Sequence, residues 1–327
     1  MILITGAGGQ DGQILSKLFE LLDIPTLRVL SVRSERDSDQ PAAISAKSAD
    51  FMDLNRVPKG EISVLIHLAA SSSVADSVRE PLRSYRTNTL LAIEAIEFVV
   101  KNEIPIIFPS SSEVFSRAEG LVSEEAPHEP HTPYGFAKSK SAELIGFYRQ
   151  KGLLRGSILT MFNHESPLRP DSYLSKTIAN QVMAARQNKA NSIQLNALSV
   201  SKDFSWAPDL VALLALPKLW ESNQDFVLGS GQVTSVKDMA QAAADRANLK
   251  IDILETGSKR ELDVHPAADS TRAREAFNWQ AQFSGVQMIS RFIDLELEGS
   301  SLAPEQRKAF FTEKLAVDAL QAFWELK

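Results

Sequence analysis

The segment Ile2-Leu3-Ile4-Thr5-Gly6-Ala7-Gly8-Gly9-Gln10-Asp11-Gly12 constrains the fold more than any other part of the chain. An apolar strand over residues 2–4 runs directly into Gly6-x-x-Gly9-x-x-Gly12, and a helical pattern follows over residues 13–22. Glycine permits the tight turn, and the helix N-terminus then offers backbone amides and a positive dipole end to an anion. Strand, glycine-rich turn and helix in that order predict a pyrophosphate site at the first strand-to-helix junction of a parallel sheet. Without those flanking elements the same glycines would signal only a tight turn.

Strand-like segments recur at 26–32, 62–67, 104–108 and 157–162, with helical patterns at 74–102 and 134–151. The alternation predicts a parallel sheet covered on both faces. At 327 residues the chain exceeds what one core usually holds. Residues 1–162 are therefore read as a dinucleotide-binding domain, with segments near 192–230 returning to it. Residues 163–327 form the substrate lobe and a C-terminal helical tail. From 302 onward that tail reads as amphipathic helix packed on the substrate lobe, with an oligomer contact as the alternative.

Composition narrows the function classes. The formal charge is −6 and no Lys/Arg cluster stands out, which argues against nucleic acid as a partner. The chain has no cysteine, so disulfides and thiolate metal sites are excluded and a reducing compartment is permitted. His128-Glu129-Pro130-His131 has no third ligand at a recognisable spacing, so no metal is expected. Pro217 and Lys218 break the longest apolar run, far short of the roughly 18 residues of a membrane span. No basic leader precedes an apolar region, and a cytoplasmic protein is expected.

Chemistry enters at Tyr134 and Lys138, which share a helix face at i and i+4. A lysine ammonium there favours the phenolate and makes Tyr134 a proton acceptor near neutral pH. The strand at 104–108 ends at the carboxyl edge of the sheet, so Pro109-Ser110-Ser111-Ser112-Glu113 lies where open α/β folds place ligands. The second strand ends Ser31-Val32-Arg33-Ser34-Glu35-Arg36. Arg33 there favours the 2′-phosphate of NADP, against Glu35 as a competing signal and surface charge as the plainer reading.

The glycine spacing together with Tyr134-x-x-x-Lys138 resembles the extended short-chain dehydrogenase/reductase family. Within it, Thr5-Gly6-x-x-Gly9-Gln10-Asp11-Gly12 and Phe162-Asn163-His164-Glu165-Ser166-Pro167 are similar to the GDP-mannose 4,6-dehydratases. Ser111-Ser112-Glu113, Lys202-Asp203-Phe204 and Asp269-Ser270-Thr271-Arg272 extend the resemblance to about residue 295. It implies an α/β fold, a doubly wound parallel sheet (Rossmann-like) with a smaller, mostly helical substrate lobe. The implied cofactor is NADP, held by Gly6, Gly9, Gln10, Asp11, Gly12, Arg33, Asp50, Leu68, Ala69, Tyr134 and Lys138. Ser111, Glu113, Tyr134 and Lys138 would be catalytic. Asn163, Glu165, Arg169, Lys202 and Arg260 would contact a nucleotide-sugar substrate, and Asn88 would support the site.

The implied reaction is internal: C4 of the sugar is oxidised, Glu113 removes the C5 proton, water leaves C6, and the stored hydride returns to C6. Simple epimerases and ketoreductases need only Tyr, Lys and Ser/Thr, whereas elimination also needs a base and an acid, roles that Glu113 fills in turn. The chain departs from the family at Lys202, usually arginine, at Trp206 and Ser73, where histidines are common, and at Ser34, which replaces the second arginine of a pair tied to tetramer contacts. A homo-oligomer, dimer or tetramer, is implied. A nucleotide-sugar reductase or epimerase is the alternative enzyme, and a non-catalytic NADP-binding regulator is a third reading.

Overall fold

A seven-stranded parallel sheet forms the centre of the computed structural model, which describes residues 1–30, 43–45, 54, 57, 62–117, 120–196, 198–256 and 265–326. In chain order the strands are β1 (Ile2–Thr5), β2 (Thr26–Leu30), β3 (Ala43–Ser45), β4 (Val64–His67), β5 (Ile106–Ser111), β6 (Leu121–Val122), β7 (Gly156–Met161), β8 (Asn163–Glu165), β9 (Ser192–Leu195), β10 (Ser201–Trp206), β11 (Phe226–Leu228), β12 (Val233–Ser235), β13 (Asp252–Glu255) and β14 (Ala267–Ala268). The helices are α1 (Gln10–Leu21), α2 (Val74–Arg79), α3 (Pro81–Asn102), α4 (Pro133–Gln150), α5 (Leu174–Arg186), α6 (Ala207–Leu214), α7 (Pro217–Glu221), α8 (Val236–Arg246), α9 (Thr271–Phe277), α10 (Gly285–Glu298) and α11 (Pro304–Leu326).

Across the main sheet the order is β11-β7-β5-β4-β1-β2-β3. The chain moves outward from β1 through β2 to β3, then returns to β4 on the other side and continues to β11. That reversal opens a crevice beyond the carboxyl ends of β1 and β4. The strands read as continuous apolar runs because both faces are buried. Ile2 and Ile4 of β1 face a core shared with Ile14 and Leu18 of α1, Leu213 of α6 and Leu315 of α11. Leu3 faces the opposite core, with Leu91 and Val99 of α3 and Ile145 of α4. The alternation of neighbouring side chains between two cores is the period-two signature of a strand.

Three sequence expectations change. The stretch 74–102 is two helices, because Pro81 cannot donate an amide to a continuing helix and instead opens α3 at its first turn. Of the segments expected to return to the main sheet, β11 does, pairing with β7, whereas β9 pairs with β13 in a separate two-stranded sheet. The C-terminal tail is a single helix, α11, and it lies against α1 and α6. Phe311, Leu315 and Phe323 are its buried face.

A second, three-stranded sheet of order β12-β10-β8 carries Asn163, Glu165 and Lys202 on strands rather than loops. Among the described residues, no helix is long and apolar enough to cross a membrane.

Candidate active site

At the β1–α1 turn, Gly6 has φ +69° and a Cβ there would meet Ala69 N and Leu68 C at 2.6 Å. The turn is thus locked against the backbone that follows β4, and only glycine fits. A Cβ at Gly12 would meet Gly6 O at 2.4 Å, so the helix closes tightly onto the turn. Gly9 caps α1 without a side chain. The first amides of the helix therefore face the cleft with no competing cap, as a pyrophosphate requires. The cleft itself is about 530 Å³, a size suited to an extended ligand. Gly6, Gly9, Gly12 and Leu68 line it at this end.

Gln10 and Asp11 also line the cleft, but their side chains turn toward β8. Asp11 Oδ2 lies 3.0 Å from His164 Nε2, and His164 Nδ1 lies 2.7 Å from the carbonyl oxygen of Phe162. Gln10 Nε2 donates to His164 O at 3.1 Å, and its oxygen accepts from Ser166 Oγ at 2.8 Å. Burial works against the charge on His164, but Asp11 outweighs it and holds the imidazole above its ordinary value. Burial likewise opposes ionised Asp11, and His164 with Arg169 holds its carboxyl well below the usual carboxylate range. With an acceptor at each ring nitrogen, His164 donates twice as an imidazolium.

At the carboxyl end of β5, Ser111 accepts from Glu113 N at 3.3 Å, fixing the single turn of 3₁₀ helix that presents Glu113. Helix α4 begins at Pro133 behind Thr132, whose hydroxyl accepts from Gly135 N at 3.0 Å. A Cβ on Gly135 would meet Glu113 O at 2.1 Å, so the helix start is packed directly onto the Glu113 turn. Ser111, Glu113, Tyr134 and Lys138 all line the same cleft.

The electrostatics differ from the sequence expectation. Burial pushes the Tyr134 phenol well above its ordinary value, and the Ser111 hydroxyl, hydrogen-bonded to it, pulls only partly back. Burial also pushes Lys138 down to about 7. Its ammonium donates to Pro109 O at 2.7 Å and sits 4.6 Å from the centre of the Phe108 ring. Desolvation of both groups therefore outweighs their mutual tuning in the protein alone.

On the opposite wall, Asn163 and Glu165 come from β8 and Lys202 from β10, paired in one sheet. Glu165 is buried against Ser175 Oγ and lies 3.5 Å from Arg169 Nε. Arg169 also donates to His164 O at 2.7 Å and stacks on Tyr173, 4.8 Å from its ring centre. Lys202 Nζ donates to Glu113 Oε1 at 3.1 Å. Asn88, a lone helical asparagine in the sequence, is buried and bonds both backbone groups of Ser71, at 2.9 and 3.2 Å. It braces the loop along the cleft.

Arg33, Asp50 and Arg260 lie outside the described residues. Trp206 is buried and donates to Asp318, and Ser73 caps α2. His128 bonds Ser139, and among the described residues no group of three or more potential metal ligands occurs. Sequence reasoning gave no role in the site to Thr132, Gly135 or His164, nor to Ser72 and Tyr173 on the cleft wall. Gly135 and His164 stood in noted strings without a role of their own, and the partner of His164, Asp11, is far away in sequence.

The family model described as GDP-mannose 4,6 dehydratase matches residues 3–292. The chain belongs to that family. A relative from Sordaria araneosa, GDP-mannose 4,6-dehydratase sdnI, is 26% identical over 90% of this chain. The match spans only 61% of that relative's own length. The GDP-mannose 4,6-dehydratase of Sinorhizobium fredii is 26% identical over 86% of this chain and 92% of its own. GDP-6-deoxy-D-mannose reductase of Pseudomonas aeruginosa is 26% identical over 69% of this chain and 77% of its own. Among solved structures, that of RMD from Pseudomonas aeruginosa complexed with NADPH superimposes with a TM-score of 0.74 at 20% identity, covering 89% of this chain and 97% of that one. The likeness shows a shared fold.

Proposed function

We propose that this protein is a nucleotide-sugar 4,6-dehydratase, converting an NDP-hexose, with GDP-mannose the first choice, to its 4-keto-6-deoxy form. The observation that carries this reading is a carboxylate, Glu113, on the wall of the same cleft as Ser111, Tyr134 and Lys138. Family membership supports the same chemistry. The bare cap of α1 and the cleft volume suit NADP, with Gly6, Gly9 and Gly12 at its pyrophosphate and Tyr134 and Lys138 at its far end. When bound, NADP supplies the hydride acceptor, the returning hydride and a positive charge beside the phenol.

The chain's own residues do the rest. Ser111 and Tyr134 hold the C4 hydroxyl, and Tyr134, as the phenolate that the positive charge of bound NADP would favour, takes its proton. A ketone at C4 makes the C5 proton acidic enough for Glu113, whose carboxylic acid then protonates the departing C6 hydroxyl. Asn163 and Glu165 orient the sugar, while Arg169 and Lys202 face the diphosphate. We place the enzyme in the cytoplasm as a homo-oligomer. Exposed Leu82 and Tyr85 on α3 and Phe136 and Phe147 on α4 support an apolar contact face.

The test is incubation of purified protein with GDP-, UDP- and dTDP-sugars without added reductant. Loss of one water from a single substrate, with no net change in cofactor redox state, is the expected result. Turnover only once NADPH is added, with one NADPH consumed per product, would instead favour a reductase, the reading that the Pseudomonas reductase relative keeps open.

A further inference from the structure

Lys202 has one hydrogen-bond acceptor among the described residues, and it is the carboxylate read above as the base. Lys202 Nζ lies 3.1 Å from Glu113 Oε1, and Thr132 Oγ1 donates to Glu113 Oε2 at 3.4 Å. The two charged side chains are only 22% and 11% exposed, so solvent weakens their attraction far less than at an open surface. Both line the main cleft, and both also line a small pocket behind it with Phe115 and His131. Asp203, next in the chain, is buried and accepts from the amides of Ser230, Gly231 and Ala268, which anchors the strand from which Lys202 reaches.

We infer that Lys202 is shared between Glu113 and the substrate's diphosphate, so that an incoming nucleotide diphosphate takes the ammonium from Glu113 and releases the carboxylate for the sugar. The inference rests on the dehydratase reading and adds to it a residue that couples substrate binding to the base. The chemistry of lysine makes the sharing competitive. An arginine fork can hold a carboxylate and a phosphate at once, but an ammonium is a compact point charge on a flexible stem and favours one anion at a time. Linkage makes the effect reciprocal. If the hold of Glu113 on Lys202 weakens diphosphate binding, a bound diphosphate weakens that hold by the same factor.

A double-mutant cycle read by calorimetric titration of GDP into the full-length protein tests this. Glu113→Gln, which removes the competing charge, should bind GDP roughly five-fold more tightly than the parent. Lys202→Met should bind it more weakly, and in the Lys202→Met background the Gln substitution should bring no further tightening. NADPH titration of each variant checks folding, and Glu113→Ala serves if the Gln variant does not fold. Unchanged or weaker GDP binding by both Glu113 variants overturns the inference. Equal tightening with and without Lys202 also overturns it, because the carboxylate would then act by general repulsion. Those outcomes leave the dehydratase reading intact. If GDP, UDP and dTDP all fail to bind the parent, the nucleotide-sugar reading falls and this inference falls with it.

Discussion

Tyr134 is a poor acid in this cleft, and that decides how its role is tested. Burial raises the phenol and lowers Lys138 to about 7, so at neutral pH the protein alone holds a neutral tyrosine beside a partly deprotonated lysine. Tyr134→Phe keeps the ring and removes the proton acceptor. Turnover should fall roughly 10²- to 10⁴-fold while NADPH binding, followed by fluorescence, stays near the parent's. Near-normal turnover would remove Tyr134 from the mechanism. Glu113→Gln should oxidise C4 and stop there, because an amide cannot take the C5 proton. Near-ultraviolet absorbance of reduced cofactor should then build up without 6-deoxy product, and solvent deuterium should enter C5 only in the parent. That Ser111, Glu113, Tyr134 and Lys138 meet at one cleft was legible, because each belongs to a short local string. The direction of the Tyr134 and Lys138 shifts was not legible, since burial depends on residues from several elements packed around them.

Between elements, two contacts hold the site in register. Gly135 is where α4 meets the Glu113 turn, and a methyl group there would collide with Glu113 O at 2.1 Å. Gly135→Ala must move either the helix start or the Glu113 turn. It should lower kcat with less effect on NADPH affinity, and an unchanged kcat would show that the turn can yield. The second contact joins α1 to β8 through Asp11 and His164. His164 is raised above 6.5, so its contribution to stability is complete below 6.5 and is lost as pH rises through its folded value. Asp11 is lowered from 3.8, so its contribution is complete above 3.8 and is lost only as pH falls through its folded value. Urea unfolding across pH should therefore show a plateau from about pH 4 to 6.5 and a decline on the alkaline side. Asp11→Asn should flatten that decline and cost about 1–3 kcal/mol within the plateau. An alkaline limb identical in both proteins would assign it to other groups. No sequence pattern announced this pair, because its members stand 153 positions apart. The β1–α1 turn beside it was fully legible, since strand, glycines and helix are contiguous.

At the scale of the molecule, a parallel sheet was legible in the strand alternation, but the strand order and the destination of the C-terminal helix were not. An amphipathic stripe says that a face is buried and not what buries it. Helix α11 begins at Pro304, beyond the family match that ends at 292, yet it closes the main core over α1 and α6. Phe311, Leu315, Ala319 and Phe323 are all buried in that contact. Asp318 ties the helix inward, accepting from Trp206 Nε1 at 3.0 Å and from Arg291 at 2.8 Å. Trp206 ends β10, the strand that carries Lys202, so the tail connects mechanically to that wall of the cleft. Two substitutions separate these roles. Leu315→Ala removes core packing and should cost about 2–5 kcal/mol in urea unfolding, with KM unchanged in the folded protein. Asp318→Ala leaves the Trp206 indole and the Arg291 guanidinium short of an acceptor and should cost about 1–3 kcal/mol. Because its effect runs through β10, it should also raise KM for the nucleotide sugar. A KM equal to the parent's, alongside the stability loss, would confine α11 to holding the core together.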